Sequence, residues 1–512
     1  MRFQTVHTPT SLTDGPISQA LISFALPLLL GNLFQQLYNT ADSLIVGNFL
    51  GREALAAVSS SGNLIFLMVG LVNGISMGAG VVIARYFGAK DYDRMQKTIH
   101  TLLAFGLVAG ALLTVVGVAL SPVMLRLMDT PETVLPNSIS YFRTYFTGSL
   151  AFVLYNICMG ILQAVGDSRH PLQYLIISSL VNVALDLLFV GVFHMGVWSA
   201  AAATAISQLV SMALCLLRLM RSERAYRVSL RKIRFDRRAL LEILQNGLPA
   251  GLQNSIISIG NVVVQSNINQ FGAAAMAGCG AHSRIEGFGF LPVTCFTMAL
   301  TTFVSQNLGA KAYDRVKKGI RVGIFCSVTI AETVALLIFI FSPRLIGLFT
   351  GDAESIAFGV MHQRTTTPFF FLLAYSHCMA AIFRGAGKST VPMLGYDALL
   401  VHHPGHLRHR RREVLPRAAD GLLGVSDHLG AEHAGVHALL LQGRLDACVR
   451  AARKTRLIVL SALSPVGGFA GGFFVSPVRG APVLPNIVFS HPFFLHLFAF
   501  QVESIMIYYM IV

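Results

Sequence analysis

Two aspartates stand inside long apolar runs: Asp42 in LPLLLGNLFQQLYNTADSLIVGNFLG (26–51) and Asp186 in NVALDLLFV (182–190). On a helix, Gln35, Asn39 and Asp42 follow i, i+4, i+7 spacing and draw one polar stripe. Asn182 and Asp186 repeat the i, i+4 step, while Asn156 and Thr204 offer an amide and a hydroxyl to the same interior. A carboxylate in hydrocarbon costs roughly 3 kcal/mol or more, so such a group needs a reason to be there. Two acids among Asn and Thr can hold a proton, which neutralises them, or a sodium ion, which uses their oxygens. The simpler alternative is that they hydrogen-bond helix to helix. Glu286 and Glu332 are weaker candidates: Glu286 closely follows Arg284 and can pair locally, and Glu332 has no evident partner.

The elements carrying these residues are membrane helices. Of 512 residues, 54% are hydrophobic and 12% charged, a balance that makes lipid the expected solvent. Spans are expected at 17–48, 54–83, 98–121, 138–163, 171–194, 197–219, 240–270, 277–307, 320–341 and 361–383. Runs of this length cross a hydrocarbon core of about 30 Å. No cleavable leader is expected, because Met1 to Pro16 is polar. Every second loop is rich in Lys and Arg, including RSERAYRVSLRKIRFDRR (221–238). The positive-inside rule puts those loops and the N-terminus in the cytoplasm. The net charge of +15 is thereby explained without nucleic acid. Seven cysteines without CxxC spacing read as small hydrophobes rather than bridges or metal ligands.

GAKDYDRMQK (88–97) returns as GAKAYDRVKK (309–318), 221 positions later. The same offset pairs Gly51 with Gly272, Ser121 with Ser342, Arg143 with Arg364, Gly166 with Gly387 and Pro171 with Pro392. Pro27 and Pro249 pair one position out. Such a match is an internal repeat. Six spans per unit give two lobes related by an axis along the membrane normal, with a binding site between them.

Beyond Pro392 the correspondence stops. Where the first unit has QYLIISSLVNVALDLLFVGVF, the second has a stretch with His402, His403, His406, His409 and the run Arg408 to Arg412. No Phe, Tyr or Trp occurs from Asp397 to Gly468. A His-rich metal site or a regulatory tail are alternatives; a shift of reading frame near Leu394 accounts best for the change. FRGAGKST (383–390) ends like a phosphate loop, but Ile382 stands where that motif needs its first Gly, and a helix rather than a strand precedes it. No nucleophile–base set is evident, so an enzyme is not expected.

Together LPLLLGNLFQQLYNTADSLIVGNFLG, NVALDLLFV, the AVGDS turn and LPAGLQNSIISIGNVVVQSNINQFG resemble the multidrug and toxic compound extrusion (MATE) family over roughly residues 15–394. The resemblance implies an all-α polytopic protein of two pseudo-symmetric six-helix lobes, here with the last two helices of the second lobe missing. Its boundaries would be 1–220 for the N-lobe, 221–239 for a basic cytoplasmic linker, 240–394 for a four-helix C-lobe and 395–512 for an aberrant tail. It further implies a proton- or sodium-coupled antiporter of cationic or amphipathic compounds, with Asp42, Asn156, Asn182, Asp186 and Thr204 as the cation site. Any metal would be Na+ at Asp42 and Asp186, and no cofactor is expected. Gln35, Asn39, Gln253 and Asn254 become candidates for lining the substrate cleft, and Pro27 for bending the first helix, whose backbone bond it removes. Another branch of the family has a glutamate in helix seven, where this chain has Gln253 and Asn254. The expected setting is a bacterial-type inner membrane, the expected state a monomer. Alternatives are a lipid-linked saccharide flippase of the same superfamily and an inactive truncated transporter.

Overall fold

A computed structural model describes residues 12–393, apart from 128–129, 131, 133 and 269–270. The expected aberrant tail, 395–512, lies outside the described residues. Twelve helical segments build the ten spans: α1 Ile17–Leu50, α2 Arg52–Gly88, α3 Tyr92–Leu127, α4 Leu135–Thr147, α5 Ser149–Ala164, α6 Arg169–Asp186, α7 Trp198–Arg221, α8 Arg237–Ile268, α9 Ala273–Gly309, α10 Tyr313–Gly347, α11 Ala353–Thr366 and α12 Phe370–Gly385. Among the described residues seven spans meet both the length and the apolarity needed to cross a bilayer, and the bent pair α4–α5 makes an eighth. α2 and α8 supply length, 37 and 32 residues.

Three spans differ from the uninterrupted helices that periodicity alone suggests. The fourth is broken at Gly148, where α4 and α5 meet at 47°. A side chain at Gly148 would press on Ala205 of α7, so the chain turns where α7 comes closest. The tenth is interrupted by a 3-10 turn, Thr367–Phe369, containing Pro368. The fifth widens after Asp186 into a π-helical turn, Leu187–Val192, a feature that gathers at functional sites.

The duplication is visible to the residue. α2 and α9 are each 37 residues long and start and stop 221 positions apart, as do α5 and α12. Both first turns pass through a left-handed glycine, Gly51 at φ 86° and Gly272 at φ 92°. Lys90 and Lys311, at φ 56° and 57°, close the two copies of the decapeptide turn. In each copy the next amide reaches back to close the helix end: Asp91 N to Tyr86 O, Ala312 N to Asn307 O.

These turns lie at the basic end of the bundle, and there the lobes meet. A Cβ on Gly88 would overlap the Gln306 carbonyl, and one on Gly309 the Arg85 carbonyl. Gln306 donates to Ala164 O at 2.7 Å and accepts from Leu12 N at 3.1 Å. Arg315 holds the segment before α1 through the carbonyls of Leu12, Asp14 and Gly15. The basic linker is likewise fastened. Gln96 bonds Arg227 O, His100 Nε2 accepts from Ser229 N, and Thr101 bonds both Arg234 O and Asp236 N. Its Tyr226 and Val228 are buried against the core of the first lobe.

Candidate functional site

α1 and α6 bring the two sequence-selected acids together. The carboxyls of Asp42 and Asp186 come within hydrogen-bonding reach of each other. Asp186 is fully buried; both of its oxygens and Oδ1 of Asp42 have no protein donor among the described residues. Two facing acceptors without a donor repel unless a proton or a cation lies between them. Asn182, one turn before Asp186, is 1% exposed, and neither its Oδ1 nor its Nδ2 has a partner. Buried polar atoms seldom remain unpaired, and here five stand together: three carboxyl oxygens and both polar atoms of Asn182.

An apolar and aromatic wall encloses it. Ile45 and Val46 of α1, Val190 of the π-turn, and Ala200 and Ala201 of α7 pack with Tyr141. Tyr38 lies close to both aspartates and to Gln35; Tyr141 also lies close to both and stacks on Tyr145 at 6.4 Å between centroids. These tyrosines were not among the sequence candidates. Tyr38 could have been read from spacing, since it sits three residues after Gln35 and four before Asp42. Tyr141 and Tyr145 carry no such sign, because they approach the group from α4, a helix distant in sequence from Asp42.

The remaining candidates divide. Gln35 joins the group through Tyr38, and Asn39 is exposed on the same stripe. Asn156 donates to Phe152 O at 2.8 Å and Thr204 to Ala200 O at 3.1 Å, so both donors are used within their own helices. Their oxygens remain the groups with which either could serve a cation. Gln253 is 2% exposed, packed inside α8 rather than open, and Asn254 beside it is half-buried. Pro27 lies inside α1, which continues through it. Of the C-lobe acids, Glu332 accepts from Phe371 N, and Glu286 lies 3.7 Å from His282, not paired with Arg284.

Fold and site define a multi-pass, all-helical membrane protein of duplicated design with a facing acid pair in its first half. The chain belongs to the MatE family, whose model matches residues 27–188 and 249–400, one stretch in each half. It is 30% identical over 376 residues to the "Probable multidrug resistance protein YoeA" of Bacillus subtilis, covering 72% of this chain and 81% of that one. It is 29% identical to YpnP of the same organism, which bears the same description, over 73% of this chain and 84% of that one. A solved structure described as the outward-facing conformation of a multidrug resistance MATE family transporter superposes with a TM-score of 0.72 at 25% identity. That match covers 76% of this chain and 87% of the other.

Proposed function

We propose that the chain is a cation-coupled exporter of cationic or amphipathic compounds, loading a proton or sodium ion between Asp42 and Asp186. The observation that carries this is the facing carboxyl pair, three of whose four oxygens are buried without a donor. Bare, the pair opposes the packing of α1 on α6; occupied, it favours that packing. A cation that binds one arrangement better shifts the population toward it. A drug that prefers the other arrangement is exchanged for it.

The closed basic end supports an outward-open resting arrangement. Under the positive-inside rule that end is cytoplasmic, and there Gly88, Gln306 and Gly309 join the lobes at backbone distance. The names of the relatives support xenobiotics as the cargo.

The test uses the full chain reconstituted in liposomes with an imposed proton or sodium gradient and a fluorescent cationic dye. Asp42→Asn and Asp186→Asn should each abolish gradient-driven dye movement while leaving membrane insertion and elution profile intact. Undiminished transport in both variants overturns the assignment.

A further inference from the structure

The C-lobe's match to the first lobe stops at Pro392, before the positions equivalent to Asn182 and Asp186. The C-lobe nevertheless buries ionisable groups of its own. His282 of α9 and His362 of α11 meet ring to ring, tilted by 37° with centroids 4.1 Å apart. His282 is 1% exposed and neither ring nitrogen has a hydrogen-bond partner; its Nε2 faces Glu286 Oε2 at 3.7 Å. His362 Nδ1 meets Cys279 Sγ at 3.4 Å, and its Nε2 is also unpartnered. Cys279, His282 and Glu286 follow i, i+3, i+7 spacing and share one face of α9. His282 lies nine residues into α9 and His362 nine residues into α11, roughly 14 Å along each helix.

We infer that His282, His362 and Glu286 form a second cation site, taking a single proton held between the imidazole pair and the carboxylate. Two considerations limit the ligand. The donor atoms do not converge on a common point as metal ligands do. Two imidazolium rings at this separation repel strongly, so the pair accepts one proton rather than two. Glu286 supplies the opposite charge.

Of the charges on the elements that pack here, Arg344 of α10 and Glu354 and Arg364 of α11 are exposed, and Arg364 bonds Ser342. α10 faces the cluster with Val334, Ile338 and Ile346, while its Glu332 is engaged by Phe371 N. α12 places His377 on the Phe290 ring. α1 meets α9 with Asn32 at Cys295, and its Asp42 faces Asp186. Arg85 of α2 lies against Gly387 at the basic end, and Arg284 is exposed. The repeat gives the position a further meaning: His362 corresponds to Tyr141, the ring beside the aspartate pair. The second lobe thus carries an ionisable group where the first carries only a phenol.

The significance for transport rests on the cation-coupled reading above; the proton count does not. Net proton uptake by the purified full chain is measured between about pH 8 and pH 5, the range in which imidazole chemistry falls. Glu286→Gln, His282→Gln and His362→Tyr, the last taking the residue of the other repeat, should each remove about one proton per molecule. The His282→Gln, His362→Tyr double variant should remove no more than either single. Additive losses, or no loss, overturn the proposal. Asp42→Asn leaves this increment unchanged, so failure of the aspartate assignment reads out separately. Elution profile and melting confirm that each variant is folded, and Glu286→Gln, nearly isosteric, preserves the test if a histidine variant is not.

Discussion

Two helix crossings that the duplication makes equivalent are built differently. Where α2 meets α8, glycine stands at all four contact points: Gly74 against Gly251, and Gly78 against Gly247. The matching positions between α9 and α1 are Cys295, Ala299, Ala25 and Leu29, which pack side chain to side chain with Phe24, Leu28 and Phe296. Small residues let membrane helices approach until backbones touch. One crossing therefore behaves as a fixed seam; the other has side chains that can repack. Duplicated lobes need not pack alike, and the crossing packed through side chains belongs to α1, which carries Asp42.

The strongest challenge to this contrast is Gly78→Val. Its side chain would enter the backbone of Gly247, where nothing flexible can give way. The cost should exceed about 3 kcal/mol, the upper end for overpacking a core, and appear as loss of folded protein on size exclusion. The complementary change at the equivalent position, Ala299→Gly, should cost about 1 kcal/mol of helix propensity and leave the fold intact. Equal effects at both places would remove the distinction between seam and adjustable crossing.

A second pair of equivalent positions carries opposite charges on one backbone shape. Gly166 and Gly387 turn with φ 89° and 75°; Asp167 follows the first and Lys388 the second. Asp167 is 5% exposed and accepts from His170 through N at 3.2 Å and Nδ1 at 2.7 Å. Burial pushes its carboxyl upward, but the His170 bonds and the nearby Arg218 charge outweigh that and hold it below the usual carboxylate range. A carboxyl depressed in the fold stabilises it above the unfolded value and loses that contribution as pH falls through the folded one. Asp167→Asn should cost about 1.5–3 kcal/mol at neutral pH, the range for a hydrogen bond to a charged group. That difference should shrink below about pH 4, where the unfolded carboxyl takes its proton. Melting of the purified chain at several pH values checks it, and a difference that persists undiminished in acid contradicts the assignment.

Much of this was legible before any coordinates. The ten spans, the 221-residue offset and the stripe through Gln35, Asn39 and Asp42 follow from hydropathy and spacing, because lipid forces helix and helix fixes which residues share a face. The Asp42–Asp186 meeting was an inference from type, two acids in apolar runs, and their carboxyls do approach. Less legible were features depending on packing between distant segments. The His282–His362 contact joins residues 80 positions apart, and neither histidine differs in sequence from an ordinary core residue. The fastened linker reads as a run of charge, yet Gln96, His100 and Thr101 of α3 hold it through its backbone. Asn156 and Thr204 show the converse: correct chemistry at a suitable depth, with donors satisfied one turn back in their own helices.

The smallest expected effect is the most direct probe of equivalence. Arg143 Nε donates to Ser121 Oγ at 3.3 Å, and Arg364 Nε to Ser342 Oγ at 3.1 Å, the same staple in both lobes. Both arginines are exposed, so each bond is worth at most about 1 kcal/mol. Only the second arginine also lies over a ring, with its guanidinium carbon 5.6 Å from the Phe339 centroid. The first lobe has Val118 at that place. A cation over an aromatic face at an exposed site adds about 0.5–1 kcal/mol. Arg364→Ala should therefore destabilise by about 0.5 kcal/mol more than Arg143→Ala, and Phe339→Leu should erase that excess. If the excess survives without the ring, its source lies in the bond to Ser342, and the two staples are not the same interaction after all.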